Sequence, residues 1–110
     1  MERSGLTSMT PSPPTATAAE SVGPVLIRGP VADALVRAIR QANRDVQVID
    51  RGAYLRVLVP GSCRLSRADA EAQLGHSFNL PGDLEEVMPS FKGRLFLSEY
   101  EAIWRAGDQP

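Results

Sequence analysis

Between Tyr54 and Val59 the chain alternates: Leu55, Val57 and Val59 fall on one parity, Tyr54, Arg56 and Leu58 on the other. Residues two apart in a strand share a face, so this segment buries one face and leaves Tyr54 and Arg56 together on the opposite one. Val46, Val48 and Ile49 read as a strand just before it. Asp50-Arg51-Gly52-Ala53 joins the two, with Gly52 free to take positive φ, so the pair reads as an antiparallel hairpin that Pro60-Gly61 ends. A two-stranded hairpin with one apolar face is marginal by itself and needs a second layer to cover it.

Two helical patterns supply that layer. From Val31 to Ala42, Val31, Leu35 and Ile39 recur at every fourth position with Val36 beside them, while Arg37, Arg40 and Gln41 take the other face. Gly29-Pro30 precedes this helix, where the missing proline N–H costs nothing. Arg40 and Arg44 suit its C-terminal dipole, and Asn43 is its expected stop. A second helix starts at Ser66-Arg67-Ala68-Asp69, which has the capping-box form, carries Ala70 and Leu74 on its inner side, and ends at Gly75. Phe78 is then placed to tuck back beneath it.

The remaining segments are shorter. Val25, Leu26 and Ile27 read as a buried strand before the first helix. Leu84 to Met88 reads as one helical turn or a strand, with the strand favoured because Pro89 follows at once. Ser90-Phe91-Lys92-Gly93 reads as a turn with Gly93 at positive φ, and Leu95 and Leu97 alternate as a strand. Ser98 to Ala106 is open locally between a short helix and a strand. No repeat of fixed period is present. Residues 1–21 differ in kind, being rich in Ser, Thr, Ala and Pro with little to bury, and are expected to be a flexible tail. Residues 22–106 form the expected folded domain and 107–110 a short C-terminal tail.

Composition excludes several functions. Twelve basic and thirteen acidic residues give a formal net charge of −1, with no basic excess for nucleic acid. No apolar run is long enough to span a bilayer, and the first residues lack a secretory h-region. A single cysteine, Cys63, cannot make an internal disulfide, so a reducing cytoplasm is the expected setting. A chain of 110 residues has room for one domain.

Chemistry-bearing patterns are sparse. One His and one Cys cannot supply the three or four N/S ligands of a zinc site, and no Glu and Glu-x-x-His pairs are available for a carboxylate diiron site. Cys63 reads as a small hydrophobe after a turn and His76 as a loop residue, rather than as a nucleophile and its base. Glu85-Glu86, read in a strand, would face opposite sides. No phosphate-cradling glycine loop is present. Phe78 and Phe91 read first as core residues, and Trp104 as a residue closing the core near a chain end. Arg51, Tyr54 and Arg56 stand out instead, because Tyr and Arg side by side on one sheet face suit a protein contact. Asn79, Ser90 and Phe91 join them as candidates for partner binding.

Three segments carry a resemblance: Asp50-Arg51-Gly52-Ala53-Tyr54-Leu55-Arg56, Gln73-Leu74-Gly75-His76-Ser77-Phe78-Asn79, and Met88-Pro89-Ser90-Phe91-Lys92-Gly93, following Val22-Gly23-Pro24. In this order they resemble the small effector, or coupling, proteins of bacterial multicomponent diiron monooxygenases, most of all the toluene and alkene branch. The resemblance runs from Val22 to Trp104. His76, Pro81-Gly82 and Pro89 depart from the pattern around the loop after the second helix. It implies an α+β fold, two helices packed against antiparallel sheet in the order β-α-β-β-α-β-β-β, with a strand at Glu101 to Arg105. It also implies a regulator with no catalytic residue and no cofactor of its own, and a charge-balanced domain that must expose a docking face is expected to be a monomer. Its expected partner is a hydroxylase that holds the diiron centre and is served by a Rieske ferredoxin and a reductase. Two alternatives stay open on the residues alone: a small-ligand-binding regulatory domain with a split β-α-β fold, and a thiol enzyme built on Cys63.

Overall fold

The hairpin expected around Asp50-Arg51-Gly52-Ala53 forms in the structure, a computed structural model that describes residues 20–107. β1 (Ser21–Ile27) leads to α1 (Pro30–Ala42), then to the hairpin strands β2 (Gln47–Asp50) and β3 (Tyr54–Pro60). β4 (Ser62–Ser66), α2 (Arg67–Leu74), α3 (Gly82–Val87), β5 (Ser90–Lys92), β6 (Arg94–Leu97) and β7 (Glu101–Arg105) follow. The strands form a four-stranded sheet in the order β2-β3-β1-β5 and a three-stranded sheet in the order β4-β7-β6, with every pairing antiparallel. The fold is α+β, as expected. The tails expected over 1–21 and 107–110 lie outside the described residues, apart from Glu20, Ser21 and Gly107; Ser21 is already the first residue of β1, paired with Pro60.

Burial follows the alternation. Leu55, Val57 and Val59 are buried, while Tyr54 is exposed and Arg56 and Leu58 are partly so. β1 repeats the pattern with Val22, Pro24 and Leu26 inward. α1 buries Ala32, Ala34, Leu35, Ala38 and Ile39 and packs on α2 and β4. It stops at Asn43, whose side-chain amide donates to the Ile39 carbonyl at 2.8 Å and to the Arg64 carbonyl at 2.8 Å while its oxygen accepts from the Arg64 N–H at 3.0 Å. One side chain thus caps the helix and ties it to β4. α2 is capped as its sequence requires: the Ser66 hydroxyl accepts from the Asp69 N–H at 3.0 Å, and Gly75 closes the helix in the left-handed region at φ 80.

Three expectations are corrected. β4 was not foreseen, since Pro60-Gly61 reads as a stop. Gly61 instead takes φ 79 and turns the chain from one sheet into the next, where Cys63 and Leu65 are buried between exposed Ser62 and Arg64. Leu84–Met88 is not a strand. Gly82–Val87 is a third helix, because Leu84, Val87 and Met88 stand at i, i+3 and i+4 and reach the core from one helical face. Glu85 and Glu86 are both exposed on it, and Pro89 ends it rather than ending a strand. Ser90–Lys92 is a short edge strand on β1 and only Gly93 makes the turn; Phe91 stays 43% exposed there, whereas Phe78 is buried. Trp104 lies within the core at 0% exposure, opposite Cys63 and Leu95.

Phe78 is held beneath α2 by Glu71, whose Oε2 accepts from the Phe78 N–H at 2.9 Å and from Arg67 Nε at 3.1 Å. The Phe78 amide and the Arg67 guanidinium favour the charged form, so the carboxyl titrates below its ordinary 4.5. A group with a lowered folded pKa stabilises fully above the unfolded value, and its contribution vanishes as pH falls through the folded value. The thermal midpoint of the wild type is therefore expected to fall more steeply between about pH 5 and pH 3 than that of Glu71→Gln, as circular dichroism melts would show.

The second corner between the sheets is Gly93, at φ 104. A Cβ there would lie 2.6 Å from the Arg105 carbonyl oxygen and 2.8 Å from Val22 Cγ1. Gly52, at φ 80, has open space around it. In urea unfolding, Gly93→Ala is expected to cost about 3 kcal/mol, strain and overlap together, and Gly52→Ala only about 1 kcal/mol.

Candidate docking surface

The residues opposite the core are set by register. Across the four-stranded sheet Ile49, Arg56, Val25 and Ser90 form one row, Arg56 pairing with both Ile49 and Val25, and Val25 with Ser90. Tyr54 stands opposite Ile27, each 44% exposed, and Leu58 opposite Gln47. Along this face runs a groove of about 350 Å³ lined by Gly23, Val25, Arg51, Tyr54, Arg56, Val57, Leu58, Ser90, Phe91 and Lys92. Its lining carries three cationic side chains and no carboxylate.

The turn that presents Arg51 is clamped from β1's end. Arg28 pairs with Asp50 and its Nε donates to the Gly52 carbonyl at 2.6 Å. Asp50 Oδ1 accepts from the Gly52 N–H at 2.8 Å, the Arg28 N–H donates to the Ala53 carbonyl at 2.9 Å, and the Arg51 N–H to the Tyr54 carbonyl at 2.8 Å. Arg28 first, then the Gly52 amide, hold the Asp50 carboxyl below its usual range. Being solvent-exposed, the clamp fixes geometry more than it stabilises the fold.

Five of the six candidates named from sequence, Arg51, Tyr54, Arg56, Ser90 and Phe91, line this groove. Asn79 does not. It sits exposed in the loop before α3, where its N–H donates to Asp83 Oδ2 at 2.8 Å and its carbonyl accepts from the Asp83 N–H at 2.9 Å, closing that helix's first turn. Sequence reading missed Val25, Leu58 and Lys92 as lining and Arg28 as the clamp. The alternation in β3 already signalled Leu58; the contributions of β1 and β5 depend on which strands pair.

Other chemistry is remote from the groove. Cys63 is fully buried and burial pushes its thiol up to about 12, which suits a core residue rather than a nucleophile. His76 is exposed and its Nδ1 lies 2.9 Å from the Ser77 carbonyl. Among the described residues no cluster of three or more His, Cys, Asp or Glu is arranged to hold a metal, and no polar or charged residue is buried. A small-molecule pocket characteristically converges a few enclosed polar groups. This groove is an open sheet face of Arg, Tyr and aliphatic side chains, the composition of a protein contact. No helix among the described residues is long and apolar enough to cross a membrane.

The chain is 45% identical over 85 residues, 76% of its length and 83% of the other's, to the "Alkene monooxygenase system, effector subunit" of Xanthobacter autotrophicus (strain ATCC BAA-1158 / Py2). Two solved structures of the phenol hydroxylase–regulatory protein complex contain chains of the same fold. One matches with a TM-score of 0.69 at 16% identity, covering 77% of this chain and 95% of that one. The other gives 0.67 at 19%, covering 78% and 99%. Residues 20–105 match the MmoB/DmpM family over nearly the whole described fold, and the chain belongs to that family.

Proposed function

We propose that this chain is the non-catalytic effector subunit of a cytoplasmic alkene- or toluene-type monooxygenase, and that it binds the hydroxylase component through the outer face of the four-stranded sheet. The observation that carries this reading is the convergence of Arg51, Tyr54, Arg56, Ser90 and Phe91 on one open groove, in a chain 45% identical to an effector subunit. Tyr54 and Phe91 provide exposed aromatic area for desolvated contact, and Arg51 and Arg56 provide planar donors for carboxylates and carbonyls. Asn79 belongs to the turn before α3 rather than to the contact.

The effector brings no cofactor; the diiron centre, the Rieske ferredoxin and the reductase belong to the rest of the system. Docking controls turnover by favouring one conformation of the hydroxylase over another. A difference in contact energy of about 3 kcal/mol between the two conformations shifts their balance on the order of a hundredfold. That is enough to couple electron use to hydroxylation or epoxidation without any group of the effector entering the metal pocket. The effector is read as a monomer when free, because its docking face must remain open.

The test is a titration of the full chain into hydroxylase supplied with ferredoxin, reductase and substrate. Turnover should rise steeply and level off near one effector per hydroxylase active site, and unchanged turnover would overturn the assignment. Tyr54→Ala and Arg56→Glu are each expected to raise the concentration for half-activation about tenfold or more with little change in thermal midpoint, while Asn79→Ala stays near wild type.

A further inference from the structure

The outer face of the three-stranded sheet carries an arrangement that works against stability. Arg94 of β6 and Arg105 of β7 are direct cross-strand partners, so two like charges face each other where such pairs repel. Neither has a carboxylate partner among the described residues, whereas Arg64, on the same sheet, is paired with Glu101 at 2.8 Å. Both guanidiniums lie against one ring: Arg94 Cζ is 5.6 Å and Arg105 Cζ 5.4 Å from the centroid of Phe96. Phe96 is nevertheless 47% exposed, and beside it a depression of about 160 Å³ is lined by Phe96, Leu97, Ser98, Glu101 and Ile103. The aromatic ring holds the two cations in a fixed, outward-accessible pair and leaves room for one apolar side chain next to them.

We propose that Arg94, Arg105 and Phe96 form a second docking element that receives an acidic segment of the hydroxylase, a carboxylate bridging the two guanidiniums and a neighbouring apolar side chain resting by Phe96. The inference rests on the reading of this chain as a hydroxylase effector. Charge complementarity names the occupant: two guanidiniums held together without a counter-ion among the described residues are matched by carboxylate oxygens, which accept from both planar forks. Continuity names its source. Lys92 lines the groove of the first sheet, and Gly93 alone separates it from Arg94, so the two elements adjoin along the chain. The hydroxylase is then held by two elements joined in the chain at Gly93, the cationic and aromatic groove and the guanidinium pair over Phe96.

The experiment measures the dissociation constant of the full-length effector for the hydroxylase at several NaCl concentrations, for wild type, R94Q/R105Q, R94K/R105K and Tyr54→Ala, after thermal melts establish that each is folded. R94Q/R105Q is expected to weaken binding at least tenfold at low salt and to flatten its salt dependence. R94K/R105K, which keeps charge but loses the planar fork, should recover part of the affinity and all of the salt dependence. Unchanged affinity and salt dependence in R94Q/R105Q, with Tyr54→Ala still weakened, overturns the second element and leaves the groove standing. If Tyr54→Ala also binds as wild type, both readings fall. If R94Q/R105Q instead alters only self-association in sedimentation, or only electron delivery by the ferredoxin, the occupant is a second copy or the electron carrier and the proposal is overturned.

Discussion

One-sided burial of β3 is the constraint on which the rest depends. Leu55, Val57 and Val59 must leave water together, and a strand has period two, so Tyr54, Arg56 and Leu58 are committed to the other face. A slip of one residue would expose the three aliphatics and bury an arginine, so the register is tightly specified. β1 and β2 accept that register on either side, which is why Val25 and Ile49 flank Arg56 in a single row. The helices and the second sheet share one core with the inner face, and the outer face stays open as a surface for contact. Core and candidate site are thus two sides of one hydrophobic pattern.

Rigidity at the groove comes from backbone contacts and a few surface groups, since no charged residue is buried among those described. The Arg28–Asp50 pair and the amide bonds around Gly52 fix the hairpin end where Arg51 projects. The sheets meet at Gly61 and Gly93, both at positive φ. Gly93 is confined further by Val22 and the Arg105 carbonyl, so the corner that orients one sheet against the other is a tightly packed point. A regulator that selects one conformation of a larger enzyme benefits from such stiffness, because a soft surface would fit either conformation and discriminate between neither.

Near-neutral net charge conceals a local separation. The groove lining is cationic and aromatic, the outer face of the second sheet sets Arg94 and Arg105 over one ring, and α3 exposes Glu85 and Glu86. The chemistry each face offers is therefore set by how the strands distribute the charges, and the overall balance does not reveal it.

The sequence by itself determined the hairpin, both principal helices with their caps, and the two faces of β3, because these depend on periodicity and on side chains bonding to their own neighbourhood. Asn43, Ser66 and Gly75 behave as their residue types require, and Tyr54, Arg56 and Arg51 were legible because the turn and strand that place them are local. Leu84–Met88 was favoured as a strand since a short segment with apolar ends ahead of a proline suits a strand or a helix equally until Leu84 has a core to enter. β4 was missed because the same Pro-Gly that ends a strand also turns a corner, and only the partner strand β7 distinguishes them. Tertiary structure alone decided that β5 joins the edge of β1, bringing Ser90 and Phe91 beside Arg56, and that Arg94 faces Arg105 over Phe96. Ser90 and Phe91 are distant in the chain from Arg56, and Arg94 meets Arg105 only because Glu101–Arg105 pairs as a strand; both depend on strand pairing, which local propensity does not encode.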